Sequence, residues 1–296
     1  METHTLMIAL THEQLTQRQA YPLSLKIQMS LQRIRLWYRH WGGLCYVAFS
    51  GGKDSTVLLH LVRSLYPEIP AVYNSFGADF PETVTFVKSI DNVLWLSAPT
   101  TYPNVIQKYG YPVVSKEVAQ KIERYHKAKD NATRMKLNQG AYRIPYQWFH
   151  LLNAPFKISS KCCHALKIAP VLKYEKQTGR APFTGLMADE GETRKQAAQR
   201  TGCNAYDLQR PVSKPLTFWL EQDIWDYIHL YNIPYSPIYD MGYQRTGCYF
   251  CGFGLHKEKS PNRFQLMKTT HPALYTHCMD RLGLRAVFSY MGLDIG

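Results

Sequence analysis

The sequence predicts an α/β fold: a parallel twisted sheet flanked by helices, with a helical N-terminal extension and a cysteine-rich C-terminal part. Three observations predict it. Short apolar runs at Leu44–Phe49, Ala71–Phe76 and Val93–Leu96 read as buried strands. Segments with helical apolar spacing, beginning at Thr56 and at Pro81, separate them. A Gly-rich turn, Ser50-Gly51-Gly52-Lys53-Asp54-Ser55, joins the first strand to the first of these helices. Strand–helix–strand alternation of this kind builds parallel sheets covered on both faces.

Taken in order, residues from about Leu10 to His40 read as helix, because Pro is nearly absent and apolar positions fall at helical spacing. Leu44–Phe49 is the first strand, and Thr56–Val62 starts a buried helix. Ala71–Phe76 is the second strand and ends at Gly77; Pro81-Glu82-Thr83 opens the next helix, with Pro in its first turn. Lys116 to Asn138 reads as one strongly basic helix carrying Lys116, Lys121, Arg124, Lys127, Lys129, Arg134 and Lys136, either a nucleic-acid stripe or a solvated face. Tyr142 to Phe156 is aromatic-rich and is expected to cover the site. Ala181–Leu186 is a further strand, leading to a loop with Asp189, Glu190, Glu192 and Arg194. Phe218 to Tyr231 is an amphipathic helix with Leu220, Ile224, Trp225 and Ile228 inward. The expected division is a helical extension at 1–43, a nucleotide-binding α/β domain at 44–240, and a Cys-x-x-Cys segment at 241–296 packing on that domain.

The chain has 296 residues, 45% of them hydrophobic and 19% charged, the balance of an ordinary globular protein. No apolar run reaches membrane-spanning length, and Met1-Glu2-Thr3-His4 lacks the basic start of a secretory leader, so a cytoplasmic protein without a membrane partner is expected. Lys and Arg total 35 against 22 Asp and Glu, a net charge of +13, which favours polyanionic partners. Of seven cysteines, Cys45, Cys203 and Cys278 stand alone, while Cys162-Cys163 and Cys248-Tyr249-Phe250-Cys251 are paired. Paired cysteines in a reducing compartment point to a metal or redox site rather than to disulfides.

The Ser50–Ser55 turn has the makings of a phosphate cradle. Glycines let the backbone approach an anion, the helix start offers free N–H groups, the serines add hydroxyl donors, and Lys53 adds charge. Its spacing is neither that of a Walker loop nor the three-glycine dinucleotide fingerprint.

This loop resembles the pyrophosphatase-type loop of the adenine nucleotide alpha-hydrolase-like superfamily, which has a Rossmann-like fold. Over roughly Leu44 to Gly254 the chain resembles the phosphoadenosine phosphosulfate reductase family. The matching pieces are the loop, Phe80-Pro81-Glu82-Thr83, Lys161-Cys162-Cys163 with Lys167, and Gly185 to Arg194. They continue with Lys214-Pro215-Leu216, Trp225-Asp226-Tyr227-Ile228, Pro234-Tyr235-Ser236-Pro237 and Gly242–Cys248. The resemblance to the iron–sulfur branch implies a [4Fe–4S] cluster on Cys162, Cys163, Cys248 and Cys251, with Zn²⁺ the chemical rival for four thiolates. Lys161, His164 and Arg245 adjoin these cysteines and are candidates to offset cluster charge.

Three features depart from the family. No Glu-Cys-Gly-(Leu/Ile)-His tail, whose cysteine attacks the sulfate sulfur, follows Cys278. Asn74-Ser75-Phe76-Gly77 replaces Asp-Thr-Gly, and Met187 stands where an Arg often contacts the sulfonucleotide. These departures put an ATP-using enzyme first: ATP with Mg²⁺ on Ser50, Gly51, Gly52, Lys53, Asp54, Ser55 and Gly185, and Lys53, Asp54 and Arg194 as the catalytic set. It would release pyrophosphate to activate an acceptor for sulfur transfer, as in DNA phosphorothioation. The acceptor would be nucleic acid, DNA ahead of RNA, and the sulfur donor a cysteine desulfurase. The alternatives are an adenylyl-sulfate or phosphoadenylyl-sulfate reductase using Cys278, Cys203 or a partner's thiol, and a nucleotide- or cluster-sensing nucleic-acid-binding protein.

Overall fold

Among the described residues eight strands form, in chain order: β1 Cys45–Phe49, β2 Ala71–Ser75, β3 Val93–Ser97, β4 Val113–Val114, β5 Ala181–Thr184, β6 Asn204–Ala205, β7 Val212–Ser213 and β8 Gly252–Phe253. They belong to a computed structural model that describes residues 10–295; Met1-Glu2-Thr3-His4, and with it the expectation about a leader, lies outside the described residues. Six strands make one sheet in the order β3-β2-β1-β5-β7-β6, and β4 pairs with β8 in a second. β1 is parallel to β2 and to β5, β5 is parallel to β7, and only β6 against β7 is antiparallel among these pairs. The predicted α/β fold, a mostly parallel sheet flanked by helices, is the one observed.

The chain groups into two units. The first comprises Met1–Asn74, Pro81–Leu96 and Leu172–Pro237; the second comprises Ser75–Phe80, Ser97–Val171 and Ile238–Gly296.

In the first unit the central strand β1 is buried at Cys45, Tyr46, Val47 and Phe49, which is why it reads as an unbroken apolar run rather than an alternating one. Val57, Leu58, Leu61 and Val62 of the Lys53–Leu65 helix pack with Val47 and Phe49, and Ile34, Trp37, Phe183, Phe218 and Trp219 complete the same core. The N-terminal helical stretch is two helices, His12–Gln19 and Leu23–His40. Thr11 and Gln14 form a capping box on the first, and Pro22, which has no N–H to continue a helix, caps the second. The amphipathic helix expected from Phe218 begins only at Glu221, because Phe218 and Trp219 are spent in the core and Asp223 caps the Leu220 N–H at 2.6 Å. Asp223 also receives the buried Lys26 ammonium at 2.6 Å.

The second unit holds its own core, in which Val118, Ile122, Phe250, Phe264 and Phe288 are buried together. The basic stretch expected as one helix is two, Lys116–Lys127 and Asn131–Leu137. Asp130 breaks it, its carboxylate accepting the Thr133 N–H at 2.7 Å to start the second helix. Among the described residues no helix is long and apolar enough to cross a membrane.

Candidate functional site

Two clusters of candidate residues form, one in each unit. In the first unit, Ser50–Gly52 leave β1 and enter the Lys53–Leu65 helix, with Gly52 as its N-cap. The turn is tied by its serines. The Ser50 N–H donates to Ser55 Oγ at 3.2 Å, the two hydroxyls lie 3.1 Å apart, and Ser55 Oγ donates to Gly52 O at 2.9 Å. Gly51 has φ +71°, and a Cβ there would lie 2.7 Å from Val87 Cγ2 and 2.8 Å from Thr83 Cγ2. Both the left-handed backbone and the close approach demand glycine. Gly185, just past β5, faces the same helix start; a Cβ on it would lie 3.0 Å from Asp54 O and 3.2 Å from Ser55 N.

Charged groups surround the turn. Lys53 is buried and its ammonium lies 3.2 Å from Asp54 Oδ1 and 3.3 Å from Glu221 Oε1. Burial pushes the Asp54 carboxyl above its ordinary value, against the pull of Lys53. Burial raises Glu190 likewise, although its Oε1 accepts the Met187 N–H at 2.9 Å. Arg194 pairs with Glu190 at 3.2 Å, while Asp189 accepts the Glu221 N–H at 3.3 Å. Thus the Arg194 partner is Glu190 and not Asp189. Met187 is buried in the apolar core of this unit. Sequence reasoning missed Glu221, which pairs with Lys53 across a long stretch of chain, and Val87, and it gave Thr83 no part in walling in Gly51. Glu221 carried no signal beyond being an acid at a helix start.

In the second unit, Cys162, Cys163, Cys248 and Cys251 line one small cavity of about 10 Å³ together with Leu166, Lys167 and Phe250. The four cysteines predicted to act together are therefore brought together. Among the described residues, no three His, Cys, Asp or Glu side chains are grouped as ligands of a single metal ion. Cys162 and Cys163 sit in a first helical turn, Lys161–Cys163, which runs into a π-helical turn, His164–Ile168, and then into the Ala169–Thr178 helix. The Cys162 thiol, hydrogen-bonded to Cys163, holds Cys163 below its ordinary value, helped by Lys116 and Lys167. The same bond, with burial, drives Cys162 upward. Burial pushes Cys248 up to about 12 and also raises Cys251. Burial opposes the charge of Lys167, but Cys248, Asp79 and Cys163 outweigh it and hold the ammonium protonated. Its Nζ stands 4.8 Å over the Phe76 ring.

The cations next to the cysteines in sequence have partners of their own. Lys161 lies 3.3 Å from Glu123 and 5.2 Å over Tyr109, Arg245 reaches Glu258 at 3.5 Å, and His164 is exposed. Lys167, four residues after Cys163 and so near the same helical face, is the cation whose charge the thiols and Asp79 support. That i, i+4 spacing was readable, whereas Asp79 and Lys116 come from distant segments.

The remaining thiols are poor nucleophiles. Burial pushes Cys45 and Cys278 up to about 12 and raises Cys203. Cys278 Sγ lies 3.9 Å from Tyr249 O, inside the second core.

Comparison with known proteins follows this geometry. The chain is 24% identical over 240 residues to an uncharacterised protein of Methanocaldococcus jannaschii, a match that covers 79% of this chain and 46% of the other. It thus spans less than half the length of that relative. It is 24% identical over 226 residues to adenosine 5′-phosphosulfate reductase of Lysinibacillus sphaericus, covering 75% of this chain and 79% of that one. A phosphoadenylyl-sulfate reductase structure from Candida auris, a phosphate complex, superposes with a TM-score of 0.47 at 14% identity, covering 81% of this chain and 97% of that chain. Residues 44–252, which hold the loop and all four paired cysteines, match the phosphoadenosine phosphosulfate reductase domain, and the chain belongs to that family.

Proposed function

We propose that the chain acts on an adenine nucleotide whose α-phosphate carries a sulfate, and reduces that sulfate to sulfite. The observation that carries the reading is the buried Lys53 beside the serine-tied, glycine-walled turn at the start of its helix, within the stretch that matches the family. Free helix N–H groups, two hydroxyls and one ammonium make a cradle for an anhydride-linked anion. The names of the relatives, adenosine 5′-phosphosulfate reductases, support the sulfonucleotide over ATP.

Cys45, Cys203 and Cys278 are buried with raised pKa, so the attacking thiolate comes from an external dithiol. It attacks the sulfate sulfur and breaks the bond from sulfur to the bridging oxygen; AMP leaves with that electron pair. The second thiol then attacks the sulfur that carries the sulfonate, which releases sulfite and forms a disulfide. Two electrons pass from the dithiol to sulfur. Lys53 and Arg194 stabilise the negative charge on the leaving phosphate, and Asp54 holds Lys53 in place.

We further propose that Cys162, Cys163, Cys248 and Cys251 hold a [4Fe–4S] cluster. Adjacent cysteines with a distant Cys-x-x-Cys suit it better than zinc, which usually takes two spaced pairs. Four thiols around one cavity and the Lys167 ammonium against them fit such an anionic group. When bound, the cluster supplies a clamp between the Lys161–Cys163 turn and the Cys248–Cys251 loop, and a charged centre.

The buried lone thiols also favour a second reading, in which no chain thiol is needed. ATP with Mg²⁺ would occupy the turn, an acceptor oxygen would attack the α-phosphorus and release pyrophosphate, and sulfur from a cysteine desulfurase would then displace AMP. One experiment separates the two. Anaerobically purified protein is given adenylyl sulfate or phosphoadenylyl sulfate with a dithiol, or ATP with and without nucleic acid; sulfite and pyrophosphate are measured. Sulfite, lost in Lys53→Ala, is the expected result. Pyrophosphate alone would replace the first reading by the second, and neither product would overturn both.

A further inference from the structure

In the second unit, residues 116–146 carry eight Lys and Arg against three Asp and Glu. The acids are engaged locally. Glu117 pairs with Lys121 at 2.7 Å, Glu123 with Lys127 and Lys161, and Asp130 caps a helix. Among the described residues, Arg124, Lys129, Lys136 and Arg143 have no carboxylate partner.

The segment folds back on itself as one surface. Lys121 Nζ donates to Arg143 O at 3.2 Å, the Ile144 N–H donates to Asn138 Oδ1 at 3.3 Å, and the Arg134 guanidinium lies 5.9 Å over the Tyr125 ring. The Asn131–Leu137 helix buries none of its 7 residues. Isolated helices shorter than about 12 residues are marginal in water, so nothing in the core accounts for this one. Around it the large apolar and aromatic side chains face solvent: Tyr142 is 55% exposed, Met135 62% and Tyr146 81%. A basic face that serves solubility alone has no need of bare aromatic rings.

We propose that this surface binds single-stranded nucleic acid, with Arg124, Lys129, Lys136 and Arg143 on the phosphates and Tyr142 and Tyr146 as platforms for unpaired bases. Cations track a backbone of any sequence, and every base has a face to stack. A duplex keeps its bases stacked on one another and offers the tyrosines nothing. The inference is independent of the nucleotide chemistry above.

The test uses the full chain and fluorescein-labelled mixed-sequence DNA and RNA oligonucleotides, a DNA duplex, and phosphatidylserine vesicles. Single strands are expected to bind with an affinity that falls linearly in log–log against salt. Tyr142→Ala with Tyr146→Ala is expected to weaken that binding about tenfold or more with an unchanged salt slope. Arg124→Glu with Lys136→Glu is expected to flatten the slope. A preference for DNA or for RNA would support the proposal and name the strand. Equal binding of duplex with no effect of the tyrosines, binding to vesicles alone, or no binding would each overturn it. Circular dichroism and nucleotide affinity, expected unchanged in both double variants, distinguish a lost surface from a lost fold.

Discussion

Asp54 is a carboxylate held in a place that disfavours its charge. Its pKa is raised, first by burial, so between the ordinary carboxylate value and the higher native value the folded chain holds the extra proton. Stability therefore falls as pH rises through that window and stays reduced above it. Asp54→Asn is expected to stabilise the first unit at neutral pH by roughly 0.5–2 kcal/mol, in the manner of functional sites that trade stability for chemistry. Urea midpoints across acid to neutral pH would show the variant gaining most above the window, while Lys53, deprived of its nearest acid, would hold nucleotide less well. Equal midpoints at every pH would contradict the assignment. At this scale the sequence was informative where the chemistry is local. Gly51, Lys53 and Asp54 could be picked out because strand, turn and helix are contiguous. Glu221 could not, because its contact with Lys53 exists only once the sheet has brought two distant helix starts together.

The elements tell a similar story about local signals and tertiary context. The Rossmann-like alternation was legible because β1 and the Lys53–Leu65 helix carry their burial in their own spacing. Helix breaks at Pro22 and Asp130 were readable in principle, since both residue types have a known positional chemistry. The π-helical turn His164–Ile168 was not, since it appears in no periodicity. It places one extra residue between the Cys162-Cys163 pair and the Ala169–Thr178 helix. Deleting Ala165 would remove that residue and change how the turn presents both thiols. The expected outcome is loss of bound iron and of the broad visible absorbance, with affinity for adenosine nucleotides retained. Full iron occupancy in the deletion variant would remove both the turn and the pair from the ligand assignment.

Across the whole molecule, burial divides into two separate cores, and each candidate site belongs to one of them. The second core contains Cys162, Phe250 and Cys278, so the cluster proposed on its four thiols has its stabilising effect there. Cys248→Ser is expected to abolish that cluster and to lower hydrogen-exchange protection in the Lys116–Lys127 and Arg263–Thr270 helices. Amides of β1 and β5 are expected to keep theirs. A uniform loss across both units would contradict separate cores. The units were invisible in the sequence because the chain crosses between them five times without a Gly- or Pro-rich linker to mark the passage. The shortest excursion, Ser75–Phe80, is six residues, from the last residue of β2 to the one before the next helix of the first unit.

That lacing constrains the order in which the protein can be made. A ribosome delivers β1 and β2 early, but β1 must wait for β5 at Ala181–Thr184, its other sheet neighbour, and the first core is not whole until Pro237 has emerged. By then Ser97–Val171 has been released without Ile238–Gly296, its complement in the second core. The second core cannot mature until Ile238–Gly296 has followed, and until Pro237 emerges unfinished apolar surface from both units is presented at once. Such a product depends on holding chaperones during synthesis more than a protein whose domains close in sequence.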